Sequence, residues 1–544
     1  MTFKRVLTWI SIGAVLAACE SGDINLAPTN IDASTNTGAG GSGGATNPCA
    51  KYTIGSNTQQ GSFDGTNCTY SSTFASPTNP ITVDLRVPFI SGVHIFQDSL
   101  FIGADVDTGA APAGGTGPKL VIDAGSTIAF TDSGDYLRIN RGSQIIADGL
   151  SSAPITFTGF TDAVSHTAGA FDVQLWGGIV INGNGITNNC TDAQRTSNAC
   201  HVVSEGLPSH YGGNDNAESS GILRYVIVKH SGFEVAPNDE LNGITFNTVG
   251  SGTTVQNVEV YSAYDDGMEF FGGAVNVTNY VALYVRDDSI DFTDGWSGKI
   301  TNALVIQSSN NANNCIEGDN IASTRIAAAP NNTSSNAPLT KPTISHLTCM
   351  TSNFVAGTHG ASKGAIIRFG ARAVITDSIF ETGRGTARLS QTPAAAQPCW
   401  EMDSASSPDT VAAAATGETT VNRTVFACQV ATTTSASDNL PNGDNQTQWL
   451  LNNGAAPNSY TFNTNNAVIT SPATASVLQP NTFYSVDTDS AAGTVTVLDS
   501  AGTPVVLTVP DGYIGAVRST ADWTANWTYG FVDGRRGAAP WWVQ

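Results

Sequence analysis

The chain has 544 residues, 40% of them hydrophobic, and its 23 Lys and Arg against 45 Asp and Glu give a formal charge of -22 at pH 7. That balance argues against nucleic acid as a partner, because displacing counterions from a phosphate backbone takes clustered basic side chains. Any other anionic partner would need a bridging cation, although the charge also serves simply to keep an exported protein soluble.

Residues 1–18 read as an export signal, with Lys4 and Arg5 ahead of the apolar run "VLTWISIGAVLAAC", which is too short to persist as a membrane-spanning helix. "LAAC" at 16–19 resembles the lipobox of bacterial lipoproteins. The resemblance implies cleavage before Cys19, acylation of its thiol and amine, and a bilayer anchor to which each buried methylene contributes about 0.8 kcal/mol. Glu20 follows, not the aspartate associated with inner-membrane retention, so the expected location is the outer membrane of a Gram-negative cell, lipid-anchored at the surface. Residues 19–48 are rich in Gly, Ser, Thr and Asn and predict a flexible tether with a root-mean-square span of roughly 30 Å.

Apart from Cys19 there are eight cysteines, at Cys49, Cys68, Cys190, Cys200, Cys315, Cys349, Cys399 and Cys428, and an even number in an exported chain predicts disulfides. Eight cysteines allow 105 pairings, and proximity in sequence alone suggests 49 with 68, 190 with 200, 315 with 349 and 399 with 428. None lies in a CxxC pair, which weakens zinc and redox readings.

Residues 49–95 are expected to cover the open end of the fold that follows. From 96 to 480 the chain repeats itself. "NGITF" from Asn242, "DGMEF" from Asp266, "DSIDF" from Asp288 and "NCIEG" from Asn314 start 24, 22 and 26 residues apart. "VQN", "VTN" and "ITN", ending at Asn257, Asn279 and Asn302, keep nearly the same step. Apolar residues alternate within each stretch, as in Ile244 and Phe246, so these are strands and not helical hairpins. Strands recurring at this period suit a solenoid whose coils stack about 4.8 Å apart. Ile244, Met268, Ile290 and Ile316 would form one internal column, with Phe246, Phe270 and Phe292 beside it.

"LVIDAGSTIAF" and "YLRINRGSQIIADGLSSAPITFT" upstream, "WGGIVINGNG" from Trp176, "YGGNDNAESSGILRYVIV" from Tyr211 and "DWTANWTYG" from Asp522 together resemble a widespread group of bacterial envelope proteins. That resemblance implies an all-β fold, a right-handed parallel β-helix of the pectin-lyase-like kind, in a group generally without an assigned activity. It is good over 118–310, patchy to 430, and returns at the C-terminus. Asn257, Asn279 and Asn302 resemble the stacked asparagine ladder inside such helices. Segments 308–343, 385–420 and 430–475 are Ser/Thr/Asn/Ala-rich and are expected to loop out between coils. Residues 481–544 should form a C-terminal cap, with "RRGAAPWWVQ" packed down.

The repeat stacks Asp266 on Asp288 and sets Glu269, Asp291 and Glu317 in a second column turned outward, with Asp265 and Asp287 at the margin. Like charges about 5 Å apart repel by about 0.8 kcal/mol in water and about 3 kcal/mol at an effective dielectric of 20. An open stripe tolerates this, whereas a walled one would take up a hard divalent ion or raise its carboxylate pKa values. Three readings follow: calcium at Asp266, Glu269, Asp288 and Asp291, a solvated stripe, or catalytic carboxylates. An enzyme of this fold would be a polysaccharide lyase or glycoside hydrolase, with Asp266, Asp288, Arg286 and Arg368 as the candidates. Arg286, Lys363 and Arg368 read more simply as charges paired with the stripe. The histidines are scattered, and no hydrolase or lyase signature can be carried over by position. Binding of polysaccharide or another envelope component on the flank ranks first, ahead of an enzyme and an adhesive rod. The oligomeric state stays open.

Overall fold

The computed structural model describes residues 47–530, apart from 352–361, 383–397, 452–466, 470–484, 488–492, 499–502 and short stretches at 111, 207, 238, 309–310, 329–331, 429, 510 and 519. The export signal, Cys19, nearly all of the tether and the final "RRGAAPWWVQ" lie outside the described residues.

Nine consecutive strands carry the centre of the fold: β1 (Ile244–Asn247), β2 (Thr254–Tyr261), β3 (Met268–Phe271), β4 (Asn276–Leu283), β5 (Ile290–Thr293), β6 (Lys299–Ile306), β7 (Asn314–Asp319), β8 (Thr343–Thr351) and β9 (Lys363–Arg368). The odd-numbered strands stack in parallel, with Ile244, Met268, Ile290, Ile316 and Ala365 in one register column. The even-numbered strands stack likewise. Each of these is bent once by a residue of positive φ, namely Asn257 at 55°, Asn279 at 61°, Asn302 at 59° and His346 at 55°. Left-handed backbone is tolerated by asparagine, whose short side chain can bond locally. The bend lets one strand serve two faces, so a coil has three: face A from the odd strands, face B before the bend and face C after it. Among the described residues face A holds ten strands, from Leu100–Ile102 to Val430–Thr432.

Alternation decides what lies inside. Ile244, Met268, Ile290, Ile316, Phe246, Phe270 and Phe292 are all fully buried. Phe246 stacks on Phe270 at 5.2 Å, and Phe270 on Trp296 at 4.1 Å. The aromatic column stops at Gly318, where a Cβ would stand 2.4 Å from the Phe292 ring. At the bend, Asn302 donates to Asn279 Oδ1 at 2.9 Å and Asn279 to Asn257 Oδ1 at 3.4 Å, forming the amide ladder. Disulfides join Cys49 to Cys68, Cys190 to Cys200, Cys315 to Cys349 and Cys399 to Cys428.

Three expectations need correction. Stacking begins before residue 96, since Cys68–Tyr70 already pairs in parallel with Val93–Phe96, leaving the hairpin of Lys51–Ile54 and Asn57–Gln60 at that end. Parts of the segments expected to loop out are coil strands: Asn314–Asp319, which the repeat had itself placed as a strand, and, further on, Pro398–Met402, Thr420–Asn422 and Val430–Thr432 pair in register. Small Ser, Thr and Ala residues hid their alternation, although Trp400 and Met402 point inward and are fully buried. Over its described residues the C-terminal segment lies against the side of the solenoid and not over its end. Its residues from Tyr513 to Tyr529 run along the outside of face C, reaching Thr348 and Glu259. The outward column on face C runs Ile227, Glu259, Val281, Leu304, Thr348, Ile379 and Val425, and its five apolar members need a cover.

Candidate functional site

The turn from face C into face A carries "YDDG" at 264–267 and "RDDS" at 286–289. Asn242, Asp266, Asp288 and Asn314 share one place in it, two residues before an inward Ile or Met. Their side chains form a second ladder. The Asp266 N–H donates to Asn242 Oδ1 at 3.0 Å, Asp288 N–H to Asp266 Oδ1 at 2.9 Å and Asn314 N–H to Asp288 Oδ1 at 2.7 Å. A short side chain with an acceptor oxygen suits this position, which is why all four residues there are Asn or Asp.

The remaining oxygens make the cluster. One ligand atom each from Asp266, Glu269 and Asp291 lies within 4.8 Å of the others, and Asp265, Asp266 and Asp287 form a second such group. Of the four residues expected to hold an ion, three are therefore together. Asp288 belongs to neither group and is engaged in the ladder. Asn242 donates to Glu269 Oε2 at 2.6 Å.

The stripe lies outside the sheet, as alternation requires, but it is not open. Asp266, Glu269 and Asp288 are 6%, 8% and 4% exposed. Two excursions wall it. The one closed by Cys190–Cys200 brings Glu205 and Tyr211, and the one after β7 brings Arg325. Arg325 lies 3.3 Å from Asp294 and donates to the Tyr211 hydroxyl at 2.9 Å. Sequence reasoning missed Glu205, Tyr211 and Arg325, because neither excursion repeats; the closely spaced Cys190 and Cys200 were the one signal that a loop closes there.

Burial, and then mutual repulsion, hold Asp265, Asp266, Glu269 and Asp288 well above the usual carboxylate range. Burial pushes Asp291 up to about 7 against the pull of Arg368, and Glu205 to about 8 against that of Arg325. Asp291 Oδ1 is buried without a hydrogen-bond partner. The basic candidates are each engaged with a partner. Arg286 turns away and donates to the Phe171 carbonyl at 2.8 Å. Arg368 pairs with Glu317 and, at 3.0 Å, with Asp319, while Lys363 pairs with Glu401 at 2.7 Å.

The donor set fits a hard divalent cation. Calcium binds oxygens at 2.3–2.6 Å, so two oxygens on one ion are at most about 5 Å apart, and Asp266, Glu269 and Asp291 satisfy that limit. The buried Asp291 oxygen without a partner fits the same ion.

A family model described as a pectate-lyase like beta helix domain matches residues 113–454. No curated protein and no solved structure matches the chain.

Proposed function

The chain belongs to the pectate-lyase-like β-helix family, which suggests a carbohydrate-related role, and from that premise we propose that it binds an acidic extracellular polysaccharide through calcium on the outer side of face A. The observation that carries this reading is the convergence of oxygens from Asp266, Glu269 and Asp291, in a place where Asp291 Oδ1 is buried and unpartnered. The site by itself repels a uronate. Calcium takes six to eight oxygens, so an ion held by three side chains keeps positions for a sugar carboxylate and hydroxyl. In this reading Cys19 carries the lipid and the tether joins the solenoid to the outer membrane.

The test is calorimetry of the full-length protein with calcium and then with a panel of neutral and uronate-containing glycans. We expect saturable calcium uptake, glycan binding only in its presence, and loss of both in the double variant Glu269→Gln, Asp291→Asn. No calcium uptake, with a melting temperature indifferent to chelator, would sink the proposal.

A second reading, a polysaccharide lyase or glycoside hydrolase, draws on Asp291, whose carboxyl near 7 suits proton transfer at neutral pH. It predicts unsaturated or reducing sugar ends released from acidic polysaccharide, and binding without any such release decides against it. Arg286, turned toward Phe171, offers it no base.

A further inference from the structure

The bend between faces B and C carries Asn257, Asn279 and Asn302 and then, on the next coils, His346, Asp377 and Arg423, all with φ between 49° and 61°. The amide ladder thus gives way to an imidazole, a carboxylate and a guanidinium. This happens where the C-terminal segment lands. Tyr513 stacks on the His346 ring with centroids 4.2 Å apart, its hydroxyl donates to Asn302 Oδ1 at 2.9 Å, and the Gly515 N–H donates to the Asp377 carbonyl at 2.8 Å. Asp511, two residues before Tyr513, reaches the same corner.

One ligand atom each from His346, Asp377 and Asp511 lies within 4.8 Å of the others. His346 is 7% exposed, its Nδ1 has no hydrogen-bond partner, and its Nε2 is 3.5 Å from Asp511 Oδ2. That separation is long for a hydrogen bond. It is close to the roughly 3.3 Å between two donors that each stand about 2.0–2.1 Å from a tetrahedral ion. Arg423 donates to both Asp377 oxygens, at 2.6 and 2.7 Å, yet each oxygen retains a second lone pair. Arg518, a further charged group among the described residues, lies across the Tyr513 ring at 5.9 Å. Burial lowers the pKa of His346, so a neutral imidazole is available as a ligand.

We propose that His346, Asp377 and Asp511 form a site for a divalent transition-metal ion of the zinc type, which clamps the C-terminal segment onto the solenoid and keeps its fourth position for water. An imidazole nitrogen beside two carboxylates suits zinc or cobalt better than calcium. The site is separate from the acidic cluster on face A, and its failure would leave the calcium reading untouched.

Cobalt(II) is the probe, titrated into full-length protein previously stripped with chelator, with zinc as competitor and limited proteolysis of the C-terminal segment as the second readout. We expect one equivalent of cobalt with a visible tetrahedral spectrum, displacement by zinc, slower cleavage within 513–530, and at least tenfold weaker binding in His346→Ala and in Asp511→Ala. Asp511 is largely exposed, so the second variant tests the site without disturbing the core. Asp291→Asn should leave the cobalt response unchanged. The proposal is overturned if no saturable cobalt binding occurs, if neither variant weakens it, or if protection of the segment follows pH alone and owes nothing to metal.

Discussion

Asp291→Asn should change the sign of its effect on stability with calcium. In chelator at pH 8 the wild-type carboxylate is ionised close to Asp266 and Glu269, and a pair of charges 4.8 Å apart repels by about 3.5 kcal/mol at an effective dielectric of 20. Linkage gives a cost of similar size, with burial as its largest cause and the charges of Asp287 and Asp294 adding to it. A carboxyl held at about 7 in the fold against roughly 3.9 in the unfolded chain costs about 4 kcal/mol once both states are ionised. The neighbours share their protons, so this is an upper bound, and a gain of about 1–4 kcal/mol is expected on neutralisation. The amide has nearly the shape of the carboxyl, so packing is preserved. With calcium present the charge becomes an asset and its removal weakens the ion, so the variant should melt above wild type in chelator and below it in millimolar calcium. Differential scanning calorimetry of both proteins in both buffers decides the matter. A shift of the same sign in the two buffers would refute the argument that repulsion and ion binding act through one oxygen.

Raised carboxyl pKa values stabilise the protonated fold, an effect fully present below the unfolded value near 4 and lost as pH rises through 7 to 8 for Asp291 and Glu205. The melting temperature in chelator should therefore fall between pH 5 and 8, and calcium should flatten that slope. Asp288→Asn should melt higher than Asp288→Ala by the equivalent of about 1–3 kcal/mol, because only asparagine still accepts from the Asn314 N–H, and calorimetry should find calcium uptake intact in the asparagine variant. Phe270→Ala, which empties the stack between Phe246 and Trp296, should destabilise the protein by about 3–5 kcal/mol in denaturant titration. Glu259→Ala removes the acceptor of the Tyr529 N–H, 2.7 Å away, and should speed proteolysis within 523–530 while leaving calcium uptake unchanged.

The face A strands and the bend were legible because each uses a periodic residue for one physical reason: inward Ile, Met and Phe for burial, and Asn for a left-handed bend. The acidic positions were legible by register, yet the separate tasks of Asp288 and Asp291 were not. Both read as carboxylates in repeated phrases, and only the backbone of the following coil distinguishes the acceptor from the oxygen left over. The walls were illegible because Glu205 and Arg325 come from segments with no partner in the repeat. The course of the C-terminal segment left a trace that went unread. Ile227, Val281 and Leu304 each stand between two inward residues and are themselves apolar, so those strands had two greasy sides and called for a cover.

The docking of residues 513–530 on face C ties the order of folding to the order of synthesis. Ile227, Val281 and Leu304 are made nearly three hundred to two hundred residues before the segment that shields them. Coils that could otherwise zip up one after another as the polypeptide emerges must wait, sticky on one side, for the last stretch to arrive. A truncation a few dozen residues short would leave most of the rungs intact and still produce a protein prone to clump.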